Sequence, residues 1–257
     1  ALTGAVPSKQ KFPNLPQTPE EIEKDVKECF DLGARVFHIH MRDEKGNPTQ
    51  DKGLFRETVA RIRNTTPEGI ICATTSSRAG NGLEDRKNPL NLEADLLPDF
   101  ASLSLGSFNF RDSVSNNPPD EIKALLELMN ERGVRPELEV FEPGMLNYAK
   151  QLMSEGLLRG IPVFNILLGI SGASPANLTS AANFLNVIPD NSEWAFAGIG
   201  REQKKMIAIA IAEGGNVRVG MEDAPSQPGQ EDWSNQKAVS FAVSMAENMG
   251  RHIASPA

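Results

Sequence analysis

The chain has 257 residues, 39% of them hydrophobic, which is enough for a sizeable core and unlike a disordered composition. Its 34 acidic and 26 basic side chains leave a formal charge of -8 and a pI near 5.1, which argues against nucleic acid or an anionic membrane as the main partner. No apolar run approaches the roughly 20 residues of a membrane span, no signal-peptide pattern opens the chain, and Cys29 and Cys72 are too few for a disulfide framework; a soluble, cytoplasmic protein is expected.

Helices and strands alternate along the chain. "LPQTPEEIEKDVKECFDLGA" reads as a helix with Thr18 as N-cap, Pro19 at the first helical position and Glu21 completing a capping box; Gly33 closes it. "RVFHIHM" (35–41) follows as a strand, then a helix over "GLFRETVARIRNTT" and the strand "GIICATTSS". A short helix near 91–97 precedes the strand "FASLSLGS". "PPDEIKALLELMNERGV" leads to "RPELEVFE", "MLNYAKQLMSEGLL" to "PVFNILLG", and "SPANLTSAANFLNVI" to "SEWAFAG". "EQKKMIAIAIAEGG" leads to "NVRVGMED", and a last helix covers about 234–249.

From residue 35 this makes seven strands, each followed by a helix. The first helix calls for a strand before it, of which "ALT" at the N-terminus supplies only the end, so that strand looks clipped. Eight such units predict a single (β/α)8 TIM barrel over 1–257, with a doubly wound open sheet as the alternative. No linker or low-complexity tract marks a second domain.

Residues i and i+2 of a strand share a face, so His38 and His40 project together near the C-terminal end of theirs, which in a barrel is the active-site end. Two imidazoles so placed form a two-point chelate for zinc or a similar metal. Two histidines merely capping a strand by hydrogen bonds are the plain alternative. The remaining histidine, His252, lies beyond the last helix and reads as a surface residue. The best further donor lies in "VRVGMED", where Glu222 and Asp223 follow the last strand, giving a His/His/Glu set. Arg218 shares a face with Gly220 and Glu222 and reads as an ion-pair or orienting partner. Hydroxyl side chains Thr74 to Ser77, together with Ser102 and Ser104, line two other strand ends. Glu137 and Glu139 share a face, and at least one is expected to point at the site. "AGIGRE" (197–202) opens a helix and is a weak candidate phosphate cradle, with Arg201 adding charge.

"TGA" near the N-terminus, "PNLPQTPEE", "GARVFHIHMRDEKGNPTQ", "PELEVFEPGM", "AGIGR" and "VRVGMED" together resemble the β-keto acid cleavage enzymes, typified by the 3-keto-5-aminohexanoate cleavage enzyme. The resemblance runs from residue 3 to about 250. It implies a zinc-dependent barrel that condenses a β-keto acid with acetyl-CoA and cleaves the adduct to acetoacetate and a new acyl-CoA. By similarity His38, His40 and Glu222 match the zinc ligands, Glu222 also facing the substrate. Asp223 matches the base and Arg218 the residue that orients it. Thr74 falls where a serine often completes that group, Ser77 and Ser102 fall at substrate contacts, and Glu139 matches a carboxylate of the family motif. A homotetramer is also implied.

Two positions depart from the pattern. Val6 stands where the aminohexanoate enzyme has a glutamate for the substrate's amino group, so a neutral or carboxylated substrate is expected. Ala224 and Pro225 follow "MED" where an asparagine is usual. The rival reading is a divalent-metal retro-aldol lyase acting on a CoA ester, which would share the barrel and the histidine pair but need no acetyl-CoA.

Overall fold

The computed structural model describes residues 1–78 and 82–255. Strands β1 (Val36–Ile39), β2 (Met41–Arg42), β3 (Pro48–Thr49), β4 (Ile70–Ala73) and β5 (Phe100–Ser104) are followed by β6 (Phe108–Asn109), β7 (Val114–Ser115) and β8 (Arg135–Val140). β9 (Val163–Leu168), β10 (Glu193–Gly198) and β11 (Asn216–Arg218) complete the set. Seven of these form one curled sheet, in the order β1-β4-β5-β8-β9-β10-β11, with every pairing parallel. Chain order equals sheet order, as a barrel requires and a doubly wound sheet forbids.

The space between β1 and β11 is bridged by the first residues. Leu2 donates its N–H to the His38 carbonyl, and the Ala1 nitrogen donates to the Val219 carbonyl. These two hydrogen bonds link "ALT", which forms no strand, to both edge strands at their C-terminal ends. Below the bridge, a cavity of about 340 Å³ opens between the two edge strands.

Helices α1 (Pro19–Asp31), α2 (Lys52–Thr65) and the single turn α3 (Leu83–Arg86) lead to α4 (Pro119–Arg132) and α5 (Pro143–Ser154). α6 (Leu178–Val187), α7 (Gln203–Ala212) and α8 (Asn235–Asn248) follow. The capping box of α1 forms as expected: the Glu21 N–H donates to Thr18 Oγ1, and the Thr18 N–H donates back to the Glu21 carboxylate. Its inward stripe is Ile22, Val26 and Cys29, all buried. The helix expected near 91–97 is instead the turn α3 and two 3-10 turns, Asn88–Leu90 and Ala94–Leu96. Pro89 and Pro98 interrupt any longer ladder there.

The core lies mainly between the sheet and its helices. Leu103, Leu138, Ile166 and Phe196 from the strands pack with Leu125, Leu146, Phe184 and Met206 from the helices. Each such fully buried side chain contributes about 1.5–3 kcal/mol. The barrel interior at the C-terminal end is by contrast polar, holding His38, Arg218, Glu137 and Glu139. No helix among the described residues is long and apolar enough to cross a membrane.

Candidate active site at the C-terminal end of the barrel

His38 lies in β1 and His40 one residue beyond it, with their Nε2 atoms 3.1 Å apart. Glu222 reaches both from across the N-terminal bridge. Its Oε1 is 3.2 Å from His40 Nε2 and 3.8 Å from His38 Nε2. Its other oxygen, Oε2, is buried without a hydrogen-bond partner among the described residues. One donor atom from each of the three falls within 4.8 Å of the others. Two imidazoles, a carboxylate and an orphaned buried oxygen form a donor set that fits zinc or a similar divalent ion.

Local backbone chemistry produces this convergence. β11 ends at Arg218, and Gly220 (φ +137°) turns the chain where a Cβ would collide with the Ala1 carbonyl. Gly4 of "TGA" adopts φ +63°, and a Cβ there would sit 2.5 Å from Glu222 Cγ. Glycine is required at both. Asn235 at the start of α8 ties the pieces together, accepting from the Met221 N–H at 2.8 Å and donating to the Leu2 carbonyl at 3.2 Å.

Arg218 is the electrostatic centre. Its Nε and one terminal nitrogen donate to the two carboxylate oxygens of Asp223 at 2.8 and 3.2 Å, and that terminal nitrogen also reaches Glu222 Oε1 at 2.9 Å. Its other terminal nitrogen lies 3.5 Å from Glu139 and 3.8 Å from Glu137. Burial opposes the guanidinium charge, but Asp223 and Glu222 outweigh it and hold its pKa well above the usual value. Burial also opposes ionisation of Glu222, yet His40, Arg218 and His38 keep its carboxyl well below the usual range. Burial lowers the pKa of His40, leaving a neutral imidazole suited to a metal. At His38 burial is overcome by Glu222 and Glu137, and the pKa rises. Glu139 is held above the usual carboxylate range by burial and accepts a hydrogen bond from Ser104 Oγ at 2.8 Å.

A cavity of about 690 Å³ opens above these groups. Thr74, Ser76, Ser104, Glu139, Arg218, Glu222 and Asp223 line its depth. Val6, Lys11 and Arg111 line its exposed rim. Of the residues expected from sequence, His38, His40, Glu222, Arg218, Asp223, Glu139 and Thr74 are therefore brought together. Ser102 is not at the cavity wall: its Oγ accepts from the Thr75 N–H at 3.3 Å, under the strand end. Among the described residues Ser77 Oγ has no partner, and Ser77 does not line the cavity. Arg201 pairs with Glu202 outside the cavity rather than cradling an anion. Its loop does a different job, since the Gly200 N–H donates to the Asp223 carbonyl at 2.8 Å. His252 is exposed, as expected.

The family model for beta-keto acid cleavage enzyme matches residues 1–257. The chain belongs to this family. It is 37% identical over 259 residues to the 3-keto-5-aminohexanoate cleavage enzyme of Fusobacterium nucleatum, covering 100% of this chain and 93% of that one. It is 32% identical over 262 residues to the 3-oxoadipate:acetyl-CoA acetyltransferase of Cupriavidus necator, covering 100% and 90%. Among solved structures, the ternary complex of ObcA with a C4-CoA adduct and oxalate superposes with a TM-score of 0.81 at 21% identity. That match covers 95% of this chain and 66% of ObcA, so the chain spans about two thirds of that protein's length, and it shows the barrel fold.

Glu137, named with Glu139 as a pair of which at least one was expected at the site, places Oε2 3.4 Å from His38 Nδ1. Two site residues escape a reading of the sequence alone. Arg42 is buried and donates to the carbonyls of Gly4, Pro7 and Gly46, pinning the "TGA" segment over the site. Only the fold shows the carbonyls around it. Arg78 joins the cavity wall from the end of the "TTSS" segment.

Proposed function

We propose that this protein cleaves a β-keto acid at the expense of acetyl-CoA, CoA passing from the acetyl group to the acyl part of the keto acid, using zinc or a similar divalent ion held by His38, His40 and Glu222. A β-keto acid and acetyl-CoA enter; acetoacetate and the acyl-CoA of the remaining chain leave. The observation that carries the reading is the His38–His40–Glu222 cluster beside the Arg218–Asp223 pair, in a chain of this family. When bound, the metal would act as a Lewis acid on the substrate's keto group.

The chain's own side chains divide the remaining work. Asp223 takes the proton from the carbon between keto group and carboxylate, and the carbanion attacks the acetyl carbonyl of acetyl-CoA. Arg218, bidentate on Asp223, fixes the plane of that base. Its contribution is the orientation of that base. CoA then moves to the original keto carbon, the bond between it and the former α-carbon breaks to release the acyl-CoA, and the proton held by Asp223 returns to that α-carbon to complete acetoacetate. Glu139, whose carboxyl burial holds above the usual range, faces Arg218 from the same wall. Thr74, just beyond β4, lines the same cavity and its hydroxyl accepts from the Ser76 N–H at 3.2 Å.

The substrate chain beyond the keto group is neutral or carboxylated. Val6 lines the rim and gives an ammonium group no counter-charge.

Acetyl-CoA consumption assayed against a panel of β-keto acids, for wild type and His40→Ala, tests the reading. Acetoacetate and a new acyl-CoA in equal amounts, with the variant inactive, are expected. Cleavage of a CoA ester without acetyl-CoA would overturn it in favour of a retro-aldol lyase.

A further inference from the structure

We propose that the barrel interior holds a second metal site, in which Cys72 Sγ, Glu137 Oε2 and His38 Nδ1 take a sulfur-seeking divalent ion of the zinc, cobalt and cadmium type. It lies on the far side of His38 from His40 and Glu222, and it does not depend on which reaction the cavity above performs.

Strand alternation builds two polar layers at this end of the barrel. His38 and His40, Cys72 and Thr74, and Glu137 and Glu139 are three pairs spaced i, i+2, and each pair leaves one face of its strand. The outer members, His40, Thr74 and Glu139, line the cavity of about 690 Å³. The inner members lie one layer deeper. His38 and Cys72 are register partners in the adjacent parallel strands β1 and β4, so their side chains share a face of the sheet. Glu137 reaches them from β8.

This inner layer converges on a point of its own. Cys72 Sγ donates to Glu137 Oε2 at 3.5 Å, and the same oxygen stands 3.4 Å from His38 Nδ1. One donor atom from each of the three falls within 4.8 Å of the others. Sulfur, imidazole nitrogen and carboxylate oxygen are the donor types that zinc and its neighbours accept. A buried free cysteine is ordinarily a small apolar side chain. Cys72, fully buried, is set instead against a carboxylate and an imidazole.

Unspent polar atoms mark the same place. His38 is 4% exposed, and although Glu137 faces its Nδ1, no group among the described residues meets that nitrogen with hydrogen-bond geometry. On β9, Asn165 has a buried Oδ1 that is likewise without a partner among the described residues. Asn165, His38 and Glu137 all line the cavity of about 340 Å³ between the edge strands, which gives an ion a path of entry from below.

The charges close. A thiolate and a carboxylate neutralise a divalent ion, and the guanidinium of Arg218 beside Glu137 is met by Asp223 and Glu222. Filling the site releases the thiol proton and any proton on Nδ1 to solvent. His38 then serves two ions through its two nitrogens.

Cobalt is the probe, because a cobalt–thiolate bond adds a near-ultraviolet charge-transfer band that histidine and carboxylate ligands alone do not give. Metal-free protein is titrated with cobalt(II), followed by absorption and by equilibrium dialysis. Wild type should take two equivalents and show the band. Cys72→Ser should take one equivalent and lose the band, keeping the visible absorption of the ion at His38, His40 and Glu222. Cys29→Ser, which alters the other buried thiol, should behave as wild type. His40→Ala should lose the first ion and keep the band, which separates this site from the one above it. A total of one equivalent in wild type, two equivalents without the band, or a band that survives Cys72→Ser would overturn the proposal. Cadmium NMR of the loaded wild type gives the same decision without a substitution. One resonance shifted by a sulfur ligand and one typical of nitrogen and oxygen ligands are expected, and the absence of the sulfur-shifted resonance would overturn the site.

Discussion

Glu137 Oε2 stands 3.4 Å from Nδ1 of His38, on the side of the imidazole away from His40 and Glu222. A carboxylate behind a histidine fixes which nitrogen carries the proton, aims the other at the metal and raises its basicity. Glu137→Gln keeps the side chain's size but removes the charge. Zinc affinity, measured by competition with a chromogenic chelator, should fall about 10–100-fold, with the circular dichroism spectrum unchanged. Unchanged affinity would show that His38 needs no orienting partner.

The same pair sets a pH window in the metal-stripped protein. Burial disfavours the Glu137 carboxylate, but His38 and Arg218 bring its pKa from the usual 4.5 to about 2. Stability from this group is therefore present above pH 4.5 and lost as pH falls toward 2. His38 shifts upward from 6.5, so its share is present below 6.5 and lost as pH rises through the raised value. Urea midpoints of wild type and Glu137→Gln should differ most between about pH 4.5 and 6.5, converge as pH falls toward 2, and keep a smaller gap, from Arg218, above the raised His38 value. A gap that stays constant from pH 3 to 9 would rule out this coupling.

What the sequence showed of the site was what period and spacing encode. His38 and His40 share a face because strands alternate, and Arg218 meets Glu222 although Gly220 breaks the strand between them. The strand count was legible from the apolar runs and their Pro-started helices. Long-range pairings were not. Nothing within a few residues of Arg42 says that its partners are the carbonyls of Gly4 and Pro7. Ser102 and Ser104 alternate correctly, but only the barrel's stagger puts Ser104 at the cavity and Ser102 against Thr75. Substrate contacts depend on such stagger, and metal ligands on one strand do not.

The tight approach of Gly4 to Glu222 makes the "TGA" segment a support for the metal site. An alanine there would carry a strained positive φ, at a cost of about 1–2 kcal/mol, and its methyl would displace Glu222. Gly4→Ala should fold with a lowered melting temperature and bind zinc more weakly. Zinc rescue of the melting temperature, large in wild type, should shrink in the variant. Full rescue would show that Glu222 has room to move.

Adjacent residues Glu222 and Asp223 are assigned different work, and a pair of isosteric variants separates them. Glu222→Gln removes one ligand's charge and leaves an amide between His40 and Arg218, so metal content after dialysis should fall with activity. Asp223→Asn leaves all three proposed ligands in place but cannot accept the substrate's proton, and its amide opposes a donor of Arg218. Its zinc content should match wild type while kcat drops about 100-fold or more, the usual worth of a general base. Exchange of the substrate's α-protons with deuterated solvent gives the sharper reading, because it needs no acetyl-CoA turnover. Wild type should exchange them, Asp223→Asn should not, and Glu139→Gln should still do so. Exchange that survives in Asp223→Asn and vanishes in Glu139→Gln would move the base from one side of Arg218 to the other.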